Sequence, residues 1–478
     1  MTTVISLDGS FVAQSQDNDV LAYKGIRYAT ADRFEPPIAY RPNDEPYEAF
    51  EYGSSPMQTP GMLELLLGLT EENNNEDCLF LNIYTPTKSS SEPLPVLFWI
   101  YGGAFVNGSS SIAWYDGSNL ARSANAVVVT INYRLGVFGF LGSTNLGLLD
   151  QICALKWVNR NIAAFGGDPE NVTVFGESAG GASVVALLAA RDAQPYFAKA
   201  WAMSPSIGQY SNIERSKQQV NDLLVHAGVS SEQELRQLSS SALLIAQQKV
   251  IDHSNEQFSA FAPTQDDVVL PLDLLDAAAK NPKPFVIGTN KDESRLWVMF
   301  DPNENQLDEL GAVKALSTRA ANASDIWSLY KSSRPTYGPS QIVAAYDSDA
   351  NFRKHAWNLL KTREENACPS WSYWFTWPSP TFEGLLGSCH ALDIPFFFAN
   401  AAIAGADVII GSGETQTMLS SVAAKSLAQF AHAGEPDWPR YKTNDRPTYV
   451  FDEDCRLEQQ PDDDLYDYWI QVLVNETS

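Results

Sequence analysis

The sequence predicts an α/β fold: a mostly parallel central sheet flanked by helices. Three observations carry that expectation. Apolar runs that are nearly continuous recur along the chain, as strands buried on both faces require. Stretches with helical spacing separate them. The run VTVFGESAGGASV (172–184) passes from an apolar strand to a small-residue helix through a turn that places Ser178 between glycines.

The elements follow in order. VISLDGSFVA and DVLAYKGIRYA alternate like hairpin strands, with Asp8-Gly9 as the turn signal. Residues 36–76 are rich in Pro, Asn and Glu and read mostly as loop. Strands are expected at LFLNIY (79–84), VLFWIY (96–101), AVVVTINY (126–133), VTVF (172–175), AKAWAM (198–203), FVIG (285–288), SYWFTW (372–377) and TYVF (448–451). LLDQICALKWVNRNIAAF, before the 172–175 strand, has apolar residues at helical spacing, and Ala179 to Ala190 reads as a further helix. The polar, helix-rich stretch 207–270 reads as a cap-like insertion. No repeat, low-complexity tract or linker divides the chain, so residues 1–478 are expected to form a single domain.

Composition narrows the function. The 478 residues are 44% hydrophobic and 19% charged, as in a globular protein with a large core. Against 32 Lys and Arg stand 58 Asp and Glu, a net charge of −26. Such a surface repels nucleic acid and anionic membrane, so neither is expected as a partner. No run approaches the roughly 18 apolar residues of a membrane span. The cysteines (Cys78, Cys153, Cys368, Cys389, Cys455) are odd in number, widely spaced and free of C-x-x-C, which argues against a metal site and for a reducing compartment. The first twenty residues are polar and alternating. A cytoplasmic location follows as the expectation, and in it the sequons at Asn107, Asn171, Asn322 and Asn475 carry no meaning.

Gly176-Glu177-Ser178-Ala179-Gly180 matches G-x-S-x-G, the nucleophile elbow. The turn is so sharp that side chains two positions either side of the serine would strike the adjacent strand and helix; glycine removes them. The hydroxyl is lifted above the sheet, and the Ala179 amide and helix N-terminus point where negative charge develops. A nucleophilic serine needs a base, an orienting acid and an oxyanion hole, and in this strand–turn–helix context acid and histidine follow the serine in the chain. Of His226, His253, His355, His390 and His432, only His390 in GSCHALDIPFFF sits on a glycine-bearing loop past a strand region. Asp292 and Glu293 both follow FVIG directly, and position alone does not separate them. WIYGGAFVNG offers Gly102-Gly103-Ala104 as a loop of exposed amides. AWYDGS and IPFFFAN read as core or as pocket wall.

EDCLFLNIYTP, WIYGGAF, NYRLGVFGFL, GLLDQICALKWVNRNIAAFGGDPENVTVFGESAGGASV, GTNKDES and CHALDIPFFF resemble, in order, blocks of the type-B carboxylesterase family, which includes the cholinesterases. With YKGIRYA near the start and FAHAGEPDWPRY near the end, the resemblance covers nearly the whole chain. It implies an α/β-hydrolase fold and serine hydrolysis of carboxylic esters without a cofactor. By motif, Ser178 is the nucleophile, His390 the base and Glu293 the acid. Gly103, Ala104 and Ala179 supply the oxyanion amides, with Gly102 and Glu177 beside them. Arg33–Glu76 and Arg134–Asp168 resemble the family's structural ion pairs. Three departures stand out. No cysteine precedes Cys78 to bridge it. The loop at 60–75 lacks the tryptophan-bearing choline site. Tyr101 stands where many members have histidine. The microbial branch is the nearer likeness, with a more open site.

The implied substrate is a small-molecule ester, apolar and uncharged, with a small to medium acyl chain. Alternatives are an amide, carbamate or lactone hydrolase using the same triad, and a catalytically silent binding protein on the same fold.

Overall fold

The computed structural model describes residues 2–16, 19–41, 45–61, 65, 73–88, 91–254 and 260–476. The expected strands are present as β1 (Thr2–Ser6), β2 (Gly9–Gln16), β3 (Val20–Arg27), β4 (Phe80–Pro86), β5 (Leu94–Ile100), β6 (Val127–Ile131), β7 (Gly167–Glu177), β8 (Lys199–Met203), β9 (Phe285–Asn290), β10 (Ser370–Phe375) and β11 (Thr448–Phe451), and the structure adds β12 (Arg456–Glu458). They form one sheet in the order β1-β2-β3-β4-β6-β5-β7-β8-β9-β10-β11-β12. From β6 to β11 neighbours run parallel; the N-terminal strands, β4 and β12 pair antiparallel. The parallel strands are largely buried, β5 and β6 at every residue and β7 over Val172–Glu177, which is why they read as unbroken apolar runs. Asp8-Gly9 closes the β1–β2 hairpin, with Ser6 opposite Gly9.

Helix α1 (Leu146–Asn161) precedes β7, and α2 (Ala179–Ala189) follows it, buried along its whole length. The longer helices of the stretch expected as a cap are α3 (Ile213–Ala227) and α4 (Ser240–His253). Glutamine side chains tie both to irregular backbone of the core. Gln219 donates to the Phe140 carbonyl at 3.2 Å and accepts from the Gly142 amide at 2.7 Å; Gln247 accepts from the Val137 amide at 2.7 Å. Each satisfies backbone groups that no helix or sheet pairs. Helices α5 (Pro339–Ser348) and α6 (Lys354–Glu365) are joined by a π-helical turn, Asp349–Arg353. Helix α7 (Glu414–Ala433) precedes β11, and helix α8 (Asp463–Glu476) follows β12.

One expected ion pair forms and one does not. Arg33 and Glu76 meet through two nitrogens, one at 2.9 Å, and Ser240 on α4 joins them. Arg134 pairs with Asp150, not Asp168. The Asp150 carboxylate on α1 takes the Arg134 backbone amide at 3.0 Å, Nε at 2.8 Å and Nη2 at 2.7 Å, with both side chains buried. Asp168 instead opens β7 and accepts the Glu170 amide at 2.9 Å. A carboxylate one helical turn inside α1 can face the loop after β6; one at the far end of a strand cannot. The loop expected to lack a choline site falls largely on 62–64 and 66–72, outside the described residues.

Candidate active site

The sheet reverses its winding at β5, with β6 on one side and β7 on the other. Crevices at such switch points, beyond the carboxyl ends of the strands, are where open α/β sheets bind ligands. Register sets Ile100 on β5 opposite Gly176 on β7. The loop after β5 therefore faces the turn after β7.

On that turn Ser178 has φ 57° and ψ −120°, a conformation that costs energy for any residue with a Cβ. A Cβ on Gly176 would stand 2.6 Å from the carbonyls of Gly180 and Ile100, and one on Gly180 would strike the Ile100 oxygen. The glycines do what the motif requires of them. The Ser178 amide is held by the Met203 carbonyl at 2.9 Å, so β8 braces the turn.

The facing loop is equally tight. Gly103 has φ 105°, and Ala104 and Phe105 have φ 50° and 62°. The Gly103 carbonyl takes the Val106 and Asn107 amides at 2.9 and 3.1 Å, and Phe105 is anchored by Gly136 at 2.7 Å. A Cβ on Gly102 would lie 2.8 Å from the Glu177 carboxylate and 2.9 Å from Ser178 Cβ, so only glycine lets the loop approach the serine this closely. Tyr101 is buried beneath, stacked on Tyr133 at 4.7 Å, and supports the loop from below.

Glu293 follows β9 and His390 follows β10. Nδ1 of His390 meets Glu293 Oε2 at 2.6 Å; Glu293 Oε1 accepts the Asn290 amide at 2.8 Å. Asp292 turns the other way, taking the Ser388 amide at 3.0 Å, the Tyr337 hydroxyl at 2.7 Å and Arg295 at 3.1 Å. Of the two carboxylates, Glu293 is the one that meets His390. Nε2 of His390 lies 3.1 Å from Glu177 Oε1, and the imidazole is not hydrogen-bonded to Ser178 in this arrangement. The remaining histidines lie elsewhere: His226 and His253 face each other across α3 and α4, His355 packs under Gly208, and His432 contacts the Ala124 carbonyl. Cys389 is fully buried, and burial raises its thiol well above the usual range.

Gly102, Gly103, Ala104, Glu177, Ser178 and His390 all border one cavity of about 750 Å³. Burial opposes a charge on His390, but the carboxylates of Glu177 and Glu293 outweigh it and hold the imidazole up at about 9. Burial pushes Glu177 up to about 8, with Asp393 and Glu293 adding to the effect and His390 opposing it. Asp393 is raised by burial and then by Glu293, to about 7. These groups titrate as a set rather than singly.

Chain reading missed three members of the site. Trp297 and Phe352 place their rings 5.0 and 4.8 Å from the His390 ring and stack on each other at 6.3 Å. Trp297 stands one helical turn after Glu293, a spacing that could have flagged it; Phe352 sits on the π-helical turn, and nothing local points from it to a histidine. Asp393, one turn after His390, is fully buried and bonded to Tyr373 and Asn290. Tyr115 borders the cavity, whereas Phe396, Phe397 and Phe398 are core.

A sequence profile described as the carboxylesterase family matches residues 2–469. The chain belongs to the carboxylesterase family. It is 35% identical to para-nitrobenzyl esterase of Bacillus subtilis (strain 168), over 94% of this chain and 95% of that protein. It is 30% identical to phenmedipham hydrolase of Pseudarthrobacter oxydans, over 91% and 92%. The structure superimposes on a carboxylesterase of Geobacillus stearothermophilus with a TM-score of 0.86 at 30% identity, covering 98% of this chain and all of that one (100%). This carboxylesterase is therefore a carboxylic ester hydrolase of the α/β-hydrolase fold. Among the described residues no helix is long and apolar enough to cross a membrane.

Proposed function

We propose that this carboxylesterase cleaves its ester by two acyl transfers through Ser178, His390 and Glu293. The observation that carries the reading is the 2.6 Å bond from His390 Nδ1 to Glu293, made across 97 positions of chain at the wall of the cavity that Ser178 borders. That bond selects the tautomer whose Nε2 accepts a proton. With the bond as pivot, the imidazole leaves Glu177 and takes the Ser178 proton as the oxygen attacks the ester carbonyl. Amides of Gly103, Ala104 and Ala179 receive the oxyanion, each such donor typically contributing about 2.7–4 kcal/mol. His390 then protonates the departing alcohol, and water releases the acid by the same route.

A cavity of about 750 Å³ suits an uncharged ester with a small to medium acyl chain. Buried, unbridged thiols such as Cys78 and Cys389 suit a reducing compartment, and a cytoplasmic location goes with this reading.

The test is hydrolysis of p-nitrophenyl acetate, butyrate and octanoate by the wild type and by Ser178→Ala. Turnover that vanishes in the variant supports the assignment, and the chain-length profile sizes the acyl site; equal rates in the two proteins would remove Ser178 from the mechanism. A second reading has one observation in its favour, the similarity to phenmedipham hydrolase over 91% of the chain. In it the same machinery turns over amides, carbamates or lactones. Rates on an ester and an anilide of one acyl group separate the two.

A further inference from the structure

Phe352 does not belong to the loops that build the site. It sits on the π-helical turn between α5 and α6, and such turns recur where a helix is bent to serve a site. Its ring, buried, covers the His390 imidazole at 4.8 Å and runs parallel to Trp297.

The next residue is clamped. Arg353 lies face-on over Trp374 at 3.6 Å and donates from Nη1 to Asp462 at 2.5 Å. Arg334 donates to the same carboxylate, its Nη1 at 2.8 Å. Asp462 immediately precedes α8 and is buried between the two guanidinium groups. A second tie runs alongside. The Trp469 indole on α8 donates to the Tyr330 hydroxyl at 2.8 Å, which donates to Asp349 at 2.7 Å, the first residue of the π-helical turn. Both ends of the turn carrying Phe352 are thus fastened to the C-terminal segment.

We infer that the C-terminal segment positions the general base: Asp462, by anchoring Arg353, holds Phe352 against the imidazole of His390. The inference rests on the triad reading above. Three carboxylates face or border the imidazole: Glu177 from the end of β7, Glu293 from the segment after β9, and Asp393 from its own loop. With carboxylates at both ring nitrogens, a fixed ring on the face limits how far the imidazole tilts as Nε2 passes from Glu177 to Ser178. Asp462 and Arg353 are positioning residues in this account; neither borders the reacting atoms.

The experiment compares Asp462→Asn, Phe352→Leu and Arg446→Met in the full chain, reading kcat, KM, the pH profile on p-nitrophenyl butyrate and Tm. Arg446 ties the same helix to its surroundings through Asp463 and Tyr466 without touching the π-helical turn. Expected for Asp462→Asn and Phe352→Leu is a loss of about tenfold in kcat with KM changed less than about twofold, the size of a small misplacement of a reacting group. The acid limb of the profile moves to higher pH, because water reaching the imidazole face relieves the penalty on its charge. Arg446→Met lowers Tm and keeps kcat. If Asp462→Asn does not fold, Phe352→Leu, which leaves the ion network intact, carries the test. An unchanged kcat and pH profile in Phe352→Leu, or an equal loss of kcat in Arg446→Met and Asp462→Asn, overturns the inference and leaves the triad standing. A His390→Ala enzyme as active as the wild type would sink the triad, and this role with it.

Discussion

Nε2 of His390 lies 3.1 Å from Oε1 of Glu177. On the proposed mechanism, Glu177 therefore competes with Ser178 for His390. A proton on the imidazole is stabilised there, and an imidazolium cannot accept the Ser178 proton.

The consequence is a pH profile displaced to the alkaline side. The imidazole is held up at about 9, so the neutral base is gained only as pH rises toward that value. We expect kcat/KM on p-nitrophenyl butyrate to climb through neutral pH, with an acid limb well above the ordinary histidine value of about 6.5. Glu177→Gln removes a carboxylate that raises the imidazole, so its limb moves to lower pH. A limb that stays put in the variant would show that Glu177 does not load the base.

The neighbours Asp292 and Glu293 should behave oppositely. Glu293→Gln breaks the partner of His390 Nδ1 and should lower kcat by at least about 10³-fold, the scale of removing an orienting acid. Asp292→Asn disturbs a buried cluster with Arg295, Tyr337 and Ser388. It should lower stability by about 1–3 kcal/mol while kcat stays within about tenfold. Steady-state rates and urea melts on both variants decide it; similar kcat losses would mean that the imidazole is oriented differently.

Gly180→Ala tests the elbow as a steric device. The new Cβ would strike the Ile100 carbonyl oxygen, a backbone atom that cannot swing aside. We expect at least about 2–3 kcal/mol of destabilisation and loss of esterase activity together. A variant that folds and turns over normally would show the approach to be looser than described.

Arg134 gives a contrast between the pair that forms and the one that does not. Asp150→Asn leaves a buried guanidinium without its carboxylate and should cost about 3–5 kcal/mol. Asp168→Asn should cost less than about 1 kcal/mol, since that carboxylate caps its own turn and acts on Lys199 only through its charge. Denaturant midpoints of the two variants rank them.

Much of the site was legible because its parts are local. A strand, a sharp turn and a helix are consecutive in the chain, so the glycines around Ser178 announce their purpose within five residues. The loop 102–104 and the acidic pair after FVIG are legible for the same reason: each directly follows an apolar run. The partner of Arg134 was not legible, because an arginine after β6 has several acidic residues downstream and only packing against α1 selects Asp150. Phe352 was invisible altogether. Its meaning depends on a π-helical turn and on the loop that carries His390, 38 positions away in the chain.

The sequence by itself determined which residue types are available for chemistry and where strands, turns and helices begin, because those follow from periodicity and from steric demands within a few residues. The tertiary structure decided directions. It brought Glu177 within 3.1 Å of Nε2 and laid Phe352 on the ring. Those outcomes arise from how separate segments pack in a low-dielectric interior, where a few tenths of an ångström select one partner over another, and no local pattern in the chain encodes them.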